Sequence, residues 1–259
     1  MVCAPPATAY NTCMTRLFQP LKPKIVLGIA AHPDDLDAGA AGSMAKFAAD
    51  GAEVYYLILT DGAKGTQDRQ MTPERLRDVR HAEQRSAGDV LGLKDVFFLD
   101  YPDGALQNTL DLKRDVVRMI RKIRPDTVVT WDPACLYSVE RGLVNHPDHR
   151  VSGQATLDAV YPLARDHLAF PELLHDEGLE PHKVQTVLML NFDTYNFAVD
   201  VTATLELKFK ALAAHASQTS DLAARQTLLT QQAGQIGSRY GYKYAEGFVR
   251  LDVESDPLS

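Results

Sequence analysis

The stretch KIVLGIAAHPDD, residues 24–35, decides the fold, because it joins a continuous apolar run to a histidine and two adjacent carboxylates. An apolar run of this kind predicts a strand in the middle of a parallel sheet, covered on both faces. Such sheets bind ligands beyond the carboxyl ends of their strands, which is where His32, Asp34 and Asp35 follow. Pro33 fixes its own φ and favours extended geometry at His32. The stretch therefore predicts half of a metal site at the end of a central strand.

Length and composition limit the possible classes of protein. The 259 residues suffice for the core of one large α/β domain or two small ones. A formal net charge of −7 argues against binding to nucleic acid or to anionic membranes. No apolar run approaches the roughly 20 residues of a membrane-spanning helix. Cys3, Cys13 and Cys135 show no CxxC spacing and are too few for a disulfide framework, which favours a cytoplasmic location.

Residues 1–21 are predicted to be a loosely ordered N-terminal extension, and residues 22–259 a single domain. The extension contains Pro5 and Pro6 and lacks the apolar centre of a signal peptide. No linker composition divides the remainder of the chain.

Strands and helices alternate in the first half of that domain. After the first strand, strands are predicted at Val54–Thr60, Val96–Leu99 and Thr127–Trp131, and helices at Asp37–Asp50, from a Thr72 cap to Leu91 with Gly92 closing it, and from a Thr109 cap to about Ile123. This alternation predicts an α/β fold with a Rossmann-like, mostly parallel sheet flanked by helices.

The second half is less regular. Helices are expected from Pro147 to about Leu163, at Thr204–Ala216 and at Asp221–Gln232, and strands at Val184–Leu190, Ala198–Val201 and, as an edge strand, Phe248–Val253. The segment Arg165–His182 is long enough to be functional or interfacial rather than a simple connection.

A second polar cluster, NHPDH at residues 145–149, follows the fourth strand. Loops after strands one and four of a parallel sheet can share one edge, so the two clusters can meet. Catalytic zinc requires about three protein ligands and an open position for water, and His32, Asp35 and His149 would supply them. That leaves Asp34 to accept a proton from water, His146 to donate to a developing oxyanion, and Asp148 to orient its neighbours.

The motifs HPDD at residues 32–35 and HPDH at residues 146–149 resemble the two signatures of the LmbE-like, or PIG-L, family of zinc-dependent N-deacetylases. The resemblance covers roughly residues 24–248 and continues through residues 80–83, 101–104, 210–218 and Glu246. It implies that His32, Asp35 and His149 bind zinc and that Asp34 is the general base. It also implies that Arg80 lies near the substrate, and we expect Asp103 to contact substrate as well.

The chain departs from the family after HPDD, where many members have an acidic residue and this chain has Leu36 followed by Asp37. Whether Asp37 supports the site or caps the helix is open at this stage.

Each assignment has a structural alternative. HPDD alone can be a turn with a helix cap, Arg80 and Glu83 a solvated pair one helical turn apart, and Asp103 a turn residue. Cys135 is expected to be a buried thiol rather than a ligand, and Trp131 a core residue. The remaining histidines are assigned to the surface or an interface: His81, His167, His175 and His182.

The resemblance implies a hydrolase that removes acetyl from an N-acetylglucosamine-type amino sugar. Residues 170–174, FPELL, resemble the branch that acts on small compounds such as diacetylchitobiose. Zn²⁺ is expected, one ion per chain, with Fe²⁺ as the alternative, in a homo-oligomer such as a trimer or hexamer. The alternatives are a metallophosphoesterase, which usually needs two metals, and a non-catalytic sugar- or nucleotide-binding module, which would want a GxGxxG loop where this chain has HPDD.

Two histidines compete as the proton donor to the leaving amine. Contact with Asp148 is expected to raise the pKa of His146. His215, at the end of a helix, is expected to reach the amine, with a neighbouring subunit as one possible source. The sequence favours His146 as the oxyanion donor and His215 as the acid.

Overall fold

The computed structural model describes residues 20–253. The predicted extension therefore lies outside the described residues except at its last two positions, as do Cys3 and Cys13. The first half contains β1 (Ile25–Ala30), α1 (Asp35–Ala49), β2 (Glu53–Thr60), α2 (Pro73–Leu91), β3 (Asp95–Tyr101), α3 (Leu110–Ile123) and β4 (Thr127–Trp131). These elements confirm the predicted alternation, including the Thr72 and Thr109 caps and a left-handed Gly92 at the end of α2.

The second half contains a short hairpin, β5 (Tyr137–Ser138) and β6 (Leu143–Val144), then α4 (Pro147–Asp158), which ends in a π-helical turn at Ala159–Leu163. A short helix α5 (Pro171–His175) lies inside the long predicted loop. It is followed by β7 (Thr186–Leu190), β8 (Phe197–Asp200), α6 (Leu205–Ala214), α7 (Leu222–Tyr240) and β9 (Ala245–Asp252). The hairpin was not predicted, and α7 is longer than expected.

Seven strands form one sheet in the order β3-β2-β1-β4-β7-β9-β8. The first five run parallel, and β9 pairs antiparallel with both β7 and β8. The prediction that the last strand is an edge strand is wrong, because β9 is inserted between two others and β8 forms the edge. The mostly parallel α/β prediction is confirmed.

Successive side chains of β1 point to opposite faces of the sheet, and each face is covered by its own apolar core. Val26 packs with residues of α1, α2 and α6 on one face, whereas Leu27 packs with residues of α3 and α4 on the other. Because apolar cores cover both faces of the sheet, polar side chains can reach a ligand at the ends of its strands. No helix between residues 20 and 253 has the length and apolar character needed to cross a membrane.

A buried ionic group locks α1 and α6 to β9. Glu246 on β9 accepts hydrogen bonds from Gly42 N and Ser43 N of α1, at 3.2 and 2.7 Å, and from Ser43 Oγ at 2.6 Å. Its Oε1 also pairs with Lys208 Nζ of α6, and both side chains are only 5% exposed. We call Glu246, Lys208, Ser43 and Gly42 the Glu246 cluster.

Candidate metal centre

The two polar motifs meet at the carboxyl edge of the sheet, because β1 and β4 are hydrogen-bonded neighbours. His32 follows β1, and His146 and His149 lie at the start of α4. Ring centroids are 4.7 Å apart for His32 and His146 and 5.3 Å apart for His32 and His149. One nitrogen of each ring lies within 4.8 Å of one nitrogen of the other two. The structure thus brings together donors that are far apart in the sequence.

Asp35 lies between two of these histidines. Its Oδ1 is 3.0 Å from His149 Nε2, and its Oδ2 is 3.4 Å from His32 Nδ1. The Oδ2 atom also accepts the backbone N–H of His32 at 2.8 Å, which fixes the carboxylate relative to the turn. Asp35 thus contacts His32 and His149 through different oxygens, whereas the three donor atoms within 4.8 Å of one another belong to His32, His146 and His149; the set His32, Asp35 and His149 stays a prediction.

The chemistry of this set fits a cation, which follows from the tautomer of His149. Asn145 donates its Nδ2 to the carbonyl oxygen of Cys135 at 2.7 Å, so its Oδ1 faces His149 Nδ1 at 2.9 Å. His149 must then carry a proton on Nδ1, and its Nε2 faces the Asp35 oxygen. Two electron-rich atoms at 3.0 Å are stable only with a proton or a metal ion between them.

Negative charge surrounds His32 as well. Its Nε2 lies 3.2 Å from Asp103 Oδ1 and 3.4 Å from Asp148 Oδ2, and it is buried without a well-directed hydrogen bond from any described residue. Burial lowers the pKa of His32, but Asp35, Asp103 and Asp148 outweigh it and raise the pKa to about 12. Nitrogen and oxygen donors with surplus negative charge suit a divalent metal such as Zn²⁺ or Fe²⁺. We call His32, Asp35 and His149 the metal cluster.

Asp103 and Asp148 lie behind His32 and are held by backbone amides. Asp103 accepts from Lys64 N at 3.0 Å, and Asp148 accepts from Gly104 N at 2.7 Å. Burial would raise the pKa of both carboxyls, but the nearby His32 and the donating backbone amides lower it. Asp103 is 6% exposed and its Oδ1 faces His32 Nε2, and its expected contact with substrate stays a prediction.

Arg80 clamps the HPDD turn from behind. It is 4% exposed and donates to the carbonyl oxygens of Pro33 at 2.8 Å and Gly62 at 3.0 Å. Its Nη2 also lies 3.2 Å from Asp34 Oδ1. Glu83 instead bonds the segment after α6, so a solvated pair with Arg80 is excluded. Arg80 thus holds both the turn and the Asp34 carboxylate.

Asp34 is the N-cap of α1, but its side chain makes no capping hydrogen bond. Its backbone is left-handed, with φ 85°, which is uncommon for a residue other than glycine and recurs at functional sites. Burial and Asp35 raise the pKa of Asp34, opposed by Arg80, His215 and Arg225. The carboxylate, which pairs with Arg80 through Oδ1, lines a cavity of about 290 Å³ with Asp35, Trp131, His146, His149 and Arg225.

A buried chain of hydrogen bonds leads from Asp34 to His215. Asp34 N donates to Gln84 Oε1 at 2.9 Å, and Gln84 Nε2 donates to Asp37 Oδ2 at 2.7 Å. The same oxygen is 2.8 Å from His215 Nε2. Asp37 therefore supports the site and does not cap the helix. Asp37 and His215 are both fully buried, so the expectation that His215 reaches out from a neighbouring subunit is wrong.

His146 faces the cavity and presents a donor there. Its Nδ1 accepts the backbone N–H of Asp148 at 3.1 Å, so the remaining N–H is on Nε2. Burial lowers the pKa of His146, and the charges of His32 and His149 lower it further. Asp148 acts to raise the pKa of His146, as expected, but burial and the two histidine charges outweigh it, so the pKa is lowered overall.

Trp131 forms one wall of the cavity. Its ring stacks on His149 with centroids 4.4 Å apart and planes 7° apart. Gly153 of α4 permits this close packing, since a Cβ there would lie 2.1 Å from the Trp131 carbonyl oxygen. Trp131 belongs to the core, as expected, and its ring also stacks on His149 at the cavity.

The remaining cysteine and histidine candidates lie outside the metal cluster. Burial raises the pKa of the Cys135 thiol, while its carbonyl oxygen orients Asn145. His167 and His175 are exposed. His81 stacks on Phe98, with centroids 3.8 Å apart, and His182 Nε2 donates to the Pro125 carbonyl oxygen at 2.7 Å.

Sequence reasoning assigned no role to Asn145, Gln84 or Arg225. Gln84 is four residues from Arg80 on the same face of α2, a spacing that could have revealed it. Arg225, on α7, lies 3.9 Å from Asp34 Oδ2, and nothing in the local sequence indicates this contact.

Comparison with known proteins agrees with this geometry. Diacetylchitobiose deacetylase of Thermococcus kodakarensis is 33% identical over 226 residues, which are 86% of this chain and 82% of that protein. A probable N-acetyl-α-D-glucosaminyl L-malate deacetylase 2 of Bacillus anthracis is 27% identical over 207 residues, which are 74% and 80% of the two chains.

A solved structure has the same architecture. N,N′-diacetylchitobiose deacetylase of Pyrococcus horikoshii, in complex with an inhibitor, superposes with a TM-score of 0.81 at 31% identity, covering 89% of this chain and 84% of that one. Residues 27–160 match the PIG-L family model, described as GlcNAc-PI de-N-acetylase. Because that model spans more than half of the chain and agrees with the relatives, the protein belongs to the PIG-L family.

Proposed function

We propose that the protein is a zinc-dependent hydrolase that removes the acetyl group from an N-acetylglucosamine-type amino sugar. The observation that carries the proposal is that the metal cluster lies at a cavity that Asp34 also lines. The Asp34 carboxylate pairs with Arg80 and makes no capping hydrogen bond to α1. Membership in the PIG-L family and the names of the relatives support the same class of reaction.

His32, Asp35 and His149 would hold the metal, one ion per chain, with Zn²⁺ as the proposed ion and Fe²⁺ as the alternative. A divalent metal at this site supplies a Lewis acid and brings the pKa of a water ligand to about 7. The stacked Trp131 and the Asn145 amide keep the His149 ring in the orientation that this binding requires.

Asp34 would take the proton of the attacking water, since its carboxylate faces the cavity and Arg80 fixes its Oδ1. His146 would donate its Nε2–H to the amide oxygen as negative charge develops there. Asp34 is then in place to pass the proton to the departing nitrogen. A side chain that protonates the departing amine must face the cavity, whereas His215 is fully buried and does not line it. We therefore assign His215 the positioning of Asp34, through Asp37 and Gln84.

The deciding experiment is acetate release by the purified, zinc-loaded protein, with metal counted by mass spectrometry. Candidate substrates are N-acetylglucosamine, diacetylchitobiose, N-acetylglucosaminyl-malate and N-acetylglucosaminyl-inositol. One zinc per chain and acetate from at least one of them are expected. Two metals per chain with phosphate ester cleavage would instead favour the metallophosphoesterase alternative.

We also propose a homo-oligomer, a trimer or a hexamer, in the cytoplasm. Apolar side chains on and beside the β5–β6 hairpin support assembly, because Tyr137, Val139 and Val144 are 62%, 84% and 83% exposed. Light scattering of the wild type and of Val139→Lys tests this proposal. A wild-type monomer would contradict it.

The buried, unpaired thiol of Cys135 accords with a reducing compartment, and localisation of the tagged protein tests the compartment.

A further inference from the structure

A second cavity lies next to the cavity at the metal cluster. It has a volume of about 200 Å³ and shares Asp35, Ala38, Trp131 and Phe192 with the first cavity. Asp35 belongs to the metal cluster, so the two cavities meet beside the proposed metal site. A ligand whose reacting group is held there can therefore extend one substituent into each cavity.

Apolar side chains form most of the wall of the second cavity. They come from α1, β7, α7 and the segment after β7, and they include Ala38, Leu190, Phe192, Leu229, Ala233 and Ile236. The three on α7 are three or four residues apart, so they share one face of that helix. Gln232 is a polar exception on the same helix. The wall that α7 contributes is therefore largely apolar.

Other polar residues of this wall are paired with groups of the protein. Lys208 and Glu246 are paired with each other in the Glu246 cluster. Asn191 and Arg141 each contact an aspartate, at 2.8 and 3.5 Å. A sugar ring in this cavity would lose hydrogen bonds to water and regain few of them from the wall, whereas a hydrocarbon chain has none to lose. The lining therefore favours a hydrocarbon ligand.

The two cavities match the two substituents of an amide. An amide held at the metal cluster carries the amino sugar on its nitrogen and the acyl chain on its carbonyl carbon. The first cavity has polar and charged side chains for the sugar hydroxyls, among them His146 and Arg225. The apolar second cavity is left for the acyl chain. An apolar cavity of roughly 150 Å³ holds a benzene molecule, so a cavity of about 200 Å³ has room for a chain of roughly six carbons.

We infer that the second cavity is an acyl pocket, and that the protein also hydrolyses N-acylated amino sugars whose acyl chain is longer than acetyl. The inference rests on the proposed function and deepens it. The reaction is the same one: the oxygen of water bonds to the carbonyl carbon, the amide C–N bond breaks, and the proton of water passes through Asp34 to the departing amine. A medium-chain carboxylate replaces acetate as the product.

Turnover tests the inference directly. The zinc-loaded wild type is given N-acetyl-, N-butanoyl- and N-hexanoylglucosamine, and the free amine is measured, because all three compounds release the same one. Burial of one methylene is worth about fourfold in affinity. The value of kcat/KM is therefore expected to rise with chain length and to be at least tenfold higher for the hexanoyl than for the acetyl compound. A hexanoyl value equal to or below the acetyl value would overturn the inference.

Binding can be measured without turnover. Trp131 is the only tryptophan of the chain and lines both cavities, so its fluorescence reports on ligands in either of them. The zinc-loaded Asp34→Asn variant is titrated with the acetyl and hexanoyl compounds, and the hexanoyl compound is expected to bind at least tenfold more tightly. Equal affinities would contradict an acyl pocket.

Variants on α7 locate the pocket. Leu229→Gln and Ile236→Gln, each made in the Asp34→Asn protein, place an amide in the apolar wall. Each is expected to reduce the ratio of hexanoyl to acetyl affinity by about 4- to 15-fold, the worth of one to two methylenes. Glutamine suits a helix, and unchanged affinity for the acetyl compound shows that the site is folded. The matched control is Leu228→Gln, because Leu228 is 53% exposed and does not line the second cavity.

A ratio that both pocket variants leave unchanged, or that Leu228→Gln reduces equally, would contradict the inference. Failure of the proposed function is a different result. In that case the wild type hydrolyses none of the compounds, whatever the chain length, and the fluorescence titrations alone decide whether the second cavity binds the acyl chain.

Discussion

Two buried ionic groups include residues of α1, Asp35 in one and Gly42 and Ser43 in the other, and they differ in how completely their atoms are paired. In the Glu246 cluster, both carboxylate oxygens accept hydrogen bonds and the lysine ammonium is paired. In the metal cluster, His32 Nε2 has no well-directed partner among residues 20–253, and His149 Nε2 faces a carboxylate oxygen. Both groups are buried and charged, so burial and charge do not distinguish them.

The difference supports the proposal that the metal cluster, and not the Glu246 cluster, binds a ligand. Buried polar groups are nearly always satisfied, and an unsatisfied one calls for an explanation such as an ion or a catalytic role. A fully satisfied network instead stabilises one arrangement of the elements around it. We therefore expect changes in the metal cluster to affect activity, and changes in the Glu246 cluster to affect stability.

The largest effect on activity should follow removal of a metal ligand. His32→Ala, Asp35→Ala and His149→Ala are each expected to lose the metal and with it measurable deacetylation, because the chemistry depends on the ion. The sheet does not depend on these side chains, so the circular dichroism spectrum should match the wild type. Full metal occupancy in one of these variants would remove that residue from the ligand set.

Asp34→Asn should retain metal and substrate binding but lose about 10²–10⁴-fold in kcat, because the amide cannot accept the proton of water. Asparagine is the right replacement, since it tolerates the left-handed backbone at φ 85°, whereas alanine would add strain. If the metal is lost together with the carboxylate, the base and ligand roles must be exchanged.

Substitutions of the two histidines are expected to reduce kcat by different and smaller factors. His146→Ala should reduce kcat about 10²–10³-fold, as loss of an oxyanion donor does, at unchanged metal content. His215→Ala should reduce kcat less, by roughly tenfold, because His215 acts on Asp34 only through Asp37 and Gln84. Steady-state kinetics over a range of pH tests both. Loss of the alkaline limb in His215→Ala alone would return the acid role to His215.

Substitutions in the Glu246 cluster should have the smallest effect on kcat and a large effect on the stability of the fold. Glu246→Gln leaves the Lys208 ammonium buried without its counter-charge, which should reduce the free energy of unfolding by about 3–5 kcal/mol. Adding Lys208→Met removes that charge and should recover most of the loss. Urea denaturation measures both variants. If Glu246→Gln is as stable as the wild type, the Glu246–Lys208 pair does not contribute to the stability of the fold.

The sequence was most informative where structure is local. Thr127–Trp131 was predicted with both bounds correct, because five apolar and β-branched residues between turns have one reasonable interpretation. The HPDD and HPDH motifs likewise indicated which donors would meet, since neighbouring parallel strands end at one edge. The assignment of these donors to a metal stays a prediction until occupancy is measured.

Long-range placement could not be predicted in the same way. The pattern of β9 indicates a strand but not its neighbours, and it was wrongly placed at the edge. The burial of His215 depends on the packing of α6 against α1 and α2, and the contact of Arg225 with Asp34 depends on where α7 docks. Such contacts are set by tertiary packing, which a local pattern does not encode.

The interior position of β9 also has a consequence for the order in which the chain can fold. Strand β8 is paired only with β9 within the described part of the sheet, and β9 is the last of the described strands to be synthesised. During translation, β1 to β4 can pair and bring the metal-binding motifs together while β8 still has no neighbour. Ribosome-bound chains stopped before residue 245 should therefore protect β1 amides from hydrogen exchange but leave those of β8 unprotected, until β9 emerges and completes the sheet.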